Sequence, residues 1–191
     1  MDPFNDSIGL KAIRGDAQIV TINNTESAEL DHSSIKSEHF LVDNPGEYEV
    51  KKVYIEGISA YRDKNQGKER GMTTIFQVNF EEVYVVHLGY LGAPLTDKQL
   101  DKLEKCDILL LPVGSHGFLS ADEAIKLIND IEPVIVIPML YKIPGVNVDY
   151  DGLDAFAKEM GLKNEDVLPK FKVSKKDLQT SETKVVVLEK S

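Results

Sequence analysis

Asp107-Ile-Leu-Leu-Leu-Pro-Val113 decides the fold class. An apolar run of this kind, opened by one acidic residue, reads as a β-strand covered on both faces. Just downstream, Ser120-Ala-Asp-Glu123 matches a capping box, with Glu three residues after Ser. It opens a helix carrying Ala124, Ile125, Leu127 and Ile128. Pro133 to Leu140 is a second buried strand. A covered strand, a helix and another covered strand predict layers, with sheet packed against helices.

Upstream, the pattern changes to strands with one solvated face. Tyr48 to Ile58 alternates apolar and charged residues after the turn signal Asn44-Pro45-Gly46-Glu47. Thr73 to Phe80 and Val83 to Leu88 form a hairpin pattern around Glu81-Glu82. Ala17 to Ile22 reads as a short buried strand, Asn23 to Ser37 as a polar loop without periodicity, and Phe40 to Val42 leads into the Asn44 turn signal. Asp63 to Gly71 is a charged loop. Thr96 opens a helix with Leu100 and Leu103 on one face, and Asp151 to Met160 is another, ended by Gly161. Val167 to Val173 and Lys184 to Leu188 read as closing strands. No internal repeat and no low-complexity linker divides the chain, so residues 1–191 are expected to form a single domain.

The 191 residues carry a formal charge of −10. An acidic protein repels phosphate backbones and anionic membranes, and the cluster Lys170, Lys172, Lys175, Lys176 is too short and mixed to reverse that. Nucleic acid and membrane are therefore not expected partners. One cysteine, Cys106, leaves no disulfide framework and no cysteine zinc site. It precedes a covered strand and reads as an inert, buried thiol. The opening Met1-Asp-Pro-Phe-Asn-Asp6 has neither a basic region nor an apolar run, so a cytoplasmic protein is expected.

Six strings taken together resemble one family. They are Asp2-Pro3-Phe4, Asn44-Pro-Gly-Glu-Tyr-Glu-Val50, Gly67-Lys-Glu-Arg-Gly71, His87-Leu-Gly-Tyr-Leu-Gly92, Pro112-Val-Gly-Ser-His116 and Ile137-Pro-Met-Leu-Tyr-Lys-Ile-Pro144. Their order and spacing, over about residues 2 to 188, are similar to the metallo-β-lactamase superfamily, in the branch of ascorbate-6-phosphate lactonase-like and related short hydrolases. The resemblance implies an α/β fold, an αββα sandwich of two mixed sheets flanked by helices. It also implies a strand pair ahead of Asp2-Pro3-Phe4; with the sequence starting at Met1, that pair is expected either to be absent, leaving a sheet edge open, or to have been cut off by truncation. An uncovered sheet edge there is expected to favour a homo-oligomer or pairing with a related, active protein.

The same resemblance implies a centre built on an HxHxDH motif after an early strand, a later His, a bridging Asp and a final His, holding one or two cations that generate hydroxide. Counted back from Pro45-Gly46, the motif positions fall on Asn24, Glu26, Ala28 and Glu29. The later His falls on Arg62, the bridging Asp on Tyr90 and the final His on Leu140. Ala28 has no donor, and a guanidinium cannot bind a metal.

These replacements lead to the expectation of a catalytically inactive chain with no metal and no cofactor, serving a structural, interaction or small-ligand-binding role. Arg62 and Tyr90, with Ser115 and His116, form the expected pocket, suited to a small anionic ligand; alternatively Arg62 pairs with Glu26 or Glu29 and plugs the cavity. The rival expectation is a hydrolase of lactone or phosphodiester bonds using a relocated metal, with Glu26, Glu29, Asp31 and His32 as the acidic patch to hold it. The adjacent Ser115–His116 pair has no identifiable orienting acid, which argues against a nucleophile there. His87 reads as a hydrogen-bonded structural histidine.

Overall fold

The computed structural model describes residues 1–114, 117–162, 167–180 and 182–189. A seven-stranded mixed sheet organises them, in the order β10-β8-β7-β6-β5-β4-β3. Its antiparallel half comprises β3 (Gly46–Val50), β4 (Val53–Tyr61), β5 (Met72–Phe80) and β6 (Val83–His87). Both tight turns there, Lys51-Lys52 and Glu81-Glu82, have positive φ at each residue, the twist that suits a two-residue hairpin. The parallel half runs from β6 through β7 (Ile108–Pro112) and β8 (Ile135–Met139) to β10 (Lys184–Val185). The apolar run of β7 sits at its centre, where a strand has no solvated face.

Helices cover one face. α1 (Asp97–Asp101) is capped by Thr96, α2 (Ala121–Ile131) by Ser120 in the expected capping box with Glu123, and α3 is Asp154–Glu159. Ile58, Ile75, Val86, Leu109, Leu111 and Val136 project from the sheet onto Leu103, Ala124, Leu127, Ile128 and Phe156. Each such Val, Leu, Ile or Phe side chain, fully removed from water, contributes about 1.5–3 kcal/mol. Residues one step along the same strands face the other way, as a pleat requires.

That second face meets two small parallel sheets. β1 (Ile19–Thr21) pairs with β2 (Phe40–Val42), and β11 (Val187–Leu188) pairs with β9 (Val167–Leu168). Val42 and Ile19 pack on Ile55 and Phe76; Val186 and Leu168 pack on Ile108 and Ile135. The layers are those of a metallo-β-lactamase-like fold, with the second sheet layer made of these two short pairs. No helix among the described residues is long and apolar enough to cross a membrane.

β4, β6, β7 and β8 all run in one direction, since β4 and β6 are each antiparallel to β5. Their C-terminal ends deliver Arg62, the 88–92 turn, the loop containing Gly117 and the segment from Leu140 to Tyr150 to one rim of the sheet. Sites in open α/β sheets gather at such ends.

Candidate functional site

Gly92 ties this rim together. Its N–H donates to the Tyr61 carbonyl at 3.0 Å. A Cβ there would lie 2.1 Å from the Arg62 carbonyl oxygen and 2.2 Å from that of Gly117. Three loops therefore meet at a point where only hydrogen fits.

The loop after β4 is wound on one carboxylate. Asp63 Oδ1 accepts from the N–H groups of Asn65 (2.8 Å) and Gly67 (3.0 Å), and Oδ2 from those of Glu69 (3.2 Å) and Arg70 (2.8 Å). Burial pushes this carboxyl up, but the four donors outweigh it and hold it below its ordinary value. The loop closes with Arg62 N–H on the Gly71 carbonyl at 3.1 Å. Arg62 and Arg70 are thereby brought to the same cavity.

That cavity, about 250 Å3, is lined by Arg62, Arg70, Tyr90, Glu29, Tyr150 and Phe118, together with Ser27, Ala28 and Gly117. The Arg62 guanidinium lies over the Tyr90 ring, 5.3 Å from its centroid, and Nη1 donates to the Arg70 carbonyl at 2.8 Å. Its Nε is buried with no hydrogen-bond partner. Among the described residues no ion pair joins Arg62 to Glu26 or Glu29, so the expected plug is corrected: the guanidinium is held by a ring and a carbonyl instead. Ser27 hydrogen-bonds the Tyr90 hydroxyl, and burial, with Asp2, Tyr150 and Glu29 nearby, pushes that phenol far up and keeps it protonated.

A second cavity of about 350 Å3 shares Glu29, Tyr90 and Tyr150 with the first and reaches Asp2 and His87. Asp2 Oδ1 accepts from Asn23 N–H at 2.7 Å, and Oδ2 lies 3.8 Å from His87 Nε2. Burial pushes the Asp2 carboxyl up to about 6, against the lowering effect of the Asn23 N–H. His87 Nδ1 accepts from Gly89 N–H at 3.1 Å, which leaves the proton of the neutral ring on Nε2, toward Asp2. Burial holds the imidazole down to about 3.

The positions mapped from the motif are only partly reunited. Ala28, Glu29, Arg62 and Tyr90 line the first cavity, and Glu29, Tyr90 and Leu140 line the second. Asn24 is buried, its Oδ1 accepting from Glu26 N–H at 3.2 Å and its Nδ2 unpaired. The Glu26 carboxylate lies beside Gly71. Because β1 ends at Thr21, a motif placed directly after that strand starts at Ile22 and falls on Ile22, Asn24, Glu26 and Ser27. Both counts share Asn24 and Glu26, and neither contains a histidine. Ser115 and His116 lie outside the described residues.

A metal centre needs three or more suitable donors directed at one point. Among the described residues no group of three His, Cys, Asp or Glu side chains meets this condition, and the Arg62 cation stands in the cavity. The expected acidic patch is spent otherwise: Asp31 accepts from Ser33 Oγ at 2.6 Å, and His32 Nδ1 lies 2.9 Å from His39 Nε2. The described side chains do not fit the metal that the resemblance implies. Cys106 is half-buried and its thiol is pushed up to about 12 by burial and by Asp107, consistent with an inert role.

Arg70, Asp63 and Asp2 were absent from the sequence-based site. Asp2 and Arg70 did stand in the quoted strings Asp2-Pro3-Phe4 and Gly67-Lys-Glu-Arg-Gly71, but nothing local marks a carboxylate or a guanidinium that only the tertiary fold brings to the rim.

Comparison with known proteins agrees with this geometry at the level of fold. The family model described as the beta-lactamase superfamily domain matches residues 1–140. A UPF0173 metal-dependent hydrolase of Methanopyrus kandleri is 33% identical over 94 residues, 49% of this chain and 41% of that protein. Another, from Pyrococcus horikoshii, is 28% identical over 131 residues, 66% of this chain and 56% of the relative. The chain thus spans about half the length of the curated relatives it matches. A crystal structure from Thermotoga maritima, of a protein inferred to be a zinc-dependent hydrolase of the metallo-β-lactamase superfamily, superposes with a TM-score of 0.74 at 28% identity, covering 98% of this chain and 87% of that one. A protein from Parabacteroides distasonis, at 17% identity and a TM-score of 0.61, shares the fold. The expectation of a catalytically inactive chain is corrected by these relatives, which are named as hydrolases, while nothing in the fold or the site shows inactivity.

Proposed function

Because the chain belongs to the beta-lactamase superfamily, we propose that it is a hydrolase that cleaves a lactone or phosphodiester bond in a small anionic substrate. One observation carries this reading: Arg62, Arg70 and Tyr90 converge on a cavity whose neighbour, across the shared Tyr90 wall, holds Asp2. The two guanidiniums supply charge and forked donors for a carboxylate or phosphate. The protonated Tyr90 hydroxyl is a neutral donor suited to an oxygen on which charge develops. Asp2, with its carboxyl at about 6, is partly ionised near neutral pH and can accept a proton from an attacking water. His87 keeps a neutral Nε2–H on the Asp2 side, 3.8 Å from Oδ2. The names of the relatives support hydrolysis as the reaction class. Their metal dependence is not matched by the donors described in this chain, so no step is assigned to a metal.

The test is a panel of lactones and phosphodiesters assayed with the protein purified without a histidine tag, before and after dialysis against zinc and manganese, with metal content measured in both samples. Turnover of one class, reduced by about 100-fold or more in Asp2→Asn, is the expected result. Failure of every substrate under every metal condition would overturn the reading.

A further inference from the structure

The larger of the two cavities is lined mostly by apolar side chains, with Asp2, Glu29, His87 and Glu189 as its titratable members beside three tyrosines. Its remaining wall comes mainly from two irregular segments, with Ile8 and Leu10 in one and Ile143, Val146 and Val148 in the other. These segments are fastened to each other: Asn147 N–H donates to the Ile8 carbonyl at 2.7 Å, and a Cβ on Gly9 would sit 2.2 Å from the Gly145 carbonyl oxygen. Protein interiors pack to crystal-like density, so about 350 Å3 of space under a pinned apolar roof is a preformed site and not slack in the core. Its volume is at the lower end of the roughly 300–1,000 Å3 typical of small-ligand sites. The apolar wall cannot serve a small, wholly polar anion, and the two arginines cannot serve a wholly apolar one. Their cavities meet at Glu29, Tyr90 and Tyr150.

We propose that this cavity takes the alkyl or acyl chain of an amphiphilic substrate whose anionic head lies at Arg62 and Arg70, an inference that rests on the hydrolase reading and narrows its substrate class to lipophilic esters, lactones or phosphodiesters. Hydrolysis of such a molecule adds the elements of water across the ester bond, the hydroxyl going to the acyl or phosphoryl centre and the proton to the leaving oxygen. No oxidant or second substrate is needed.

Calorimetric titration of the full chain with butyrate, hexanoate, octanoate and decanoate tests this below their micelle-forming concentrations. Each added methylene that enters the cavity should tighten binding roughly fourfold until the space is filled. Val146→Phe, which fills the cavity from a half-buried loop position, should flatten that gradient; Val146→Ser, which adds polarity without bulk, should weaken it. Equal affinity for butyrate and decanoate, or a gradient untouched in both variants, would overturn the inference. Turnover is read separately on short-chain substrates. A chain-length gradient without turnover would sustain the cavity's role and count against the hydrolase reading alone.

Discussion

His87 Nε2 stands 3.8 Å from Asp2 Oδ2, and burial biases both groups toward their neutral forms. Their effects on stability have opposite signs. Asp2 rises from 3.8 to about 6, so between these values the folded chain binds more protons than the unfolded one and stability falls as pH rises. His87 drops from 6.5 to about 3, so across that window the unfolded chain binds more protons and stability rises with pH. In the overlap the slopes partly cancel. Urea denaturation at closely spaced pH values should therefore give a shallow profile for the wild type between about pH 4 and 6. Asp2→Asn should expose a climb on the order of 5 kcal/mol between about pH 3 and 6.5, and His87→Gln a fall on the order of 3 kcal/mol between about pH 4 and 6. Parallel profiles for all three proteins would disprove the two opposed shifts.

Asp63 is the axle of the arginine loop, accepting four backbone N–H groups. Asparagine in its place offers one acceptor oxygen and an amide that repels the remaining donors. Asp63→Asn should lower the melting temperature and weaken binding of inorganic phosphate, because Arg62 and Arg70 flank the wound segment. Since folding holds this carboxyl below its ordinary value, its contribution is present above the unfolded pKa and is lost as pH falls through the folded one. The wild-type and variant melting temperatures should converge in acid; a gap that stays constant with pH would disprove this role.

Much of the architecture was legible because it rests on local signals. The run at β7 announced a doubly covered strand, Ser120 and Glu123 announced α2, and Glu81-Glu82 announced the hairpin of β5 and β6. The second sheet layer was less legible, since pairs as short as Val167–Leu168 and Val187–Leu188 carry no periodicity. At the site, alignment to a motif named Arg62 and Tyr90, each just beyond a strand end, and both line one cavity. In the polar loop after β1 nothing periodic fixes the count, and two registers share only Asn24 and Glu26. The loss of histidines read as loss of chemistry, whereas the burial that raises the Asp2 carboxyl is created only by the fold.

Gly92 predicts how tightly the rim is built. A methyl at this position meets two carbonyl oxygens at 2.1 and 2.2 Å, both backbone, so neither can swing aside. Gly92→Ala must separate the Arg62 and Gly117 loops. Overpacking of this kind costs about 1–3 kcal/mol, measurable by urea denaturation. Phosphate affinity should fall with it. A variant as stable as the wild type, with unchanged affinity, would mean that the three loops do not meet as described.

Arg62 separates binding from stability. Its Nε is buried without a partner, which is a cost to folding, while its guanidinium lines the cavity. Arg62→Gln should therefore keep or slightly raise the melting temperature, yet weaken calorimetric binding of inorganic phosphate by about tenfold or more, equivalent to about 1.4 kcal/mol. Arg62→Lys retains the charge but loses the planar group that lies over Tyr90 and the second forked donor. It should recover only part of the affinity, with a steeper dependence on salt than the wild type. Full recovery by lysine would mean that charge alone suffices. A large loss of stability in Arg62→Gln would place the guanidinium among the groups that hold the fold together, and would remove it from the anion site.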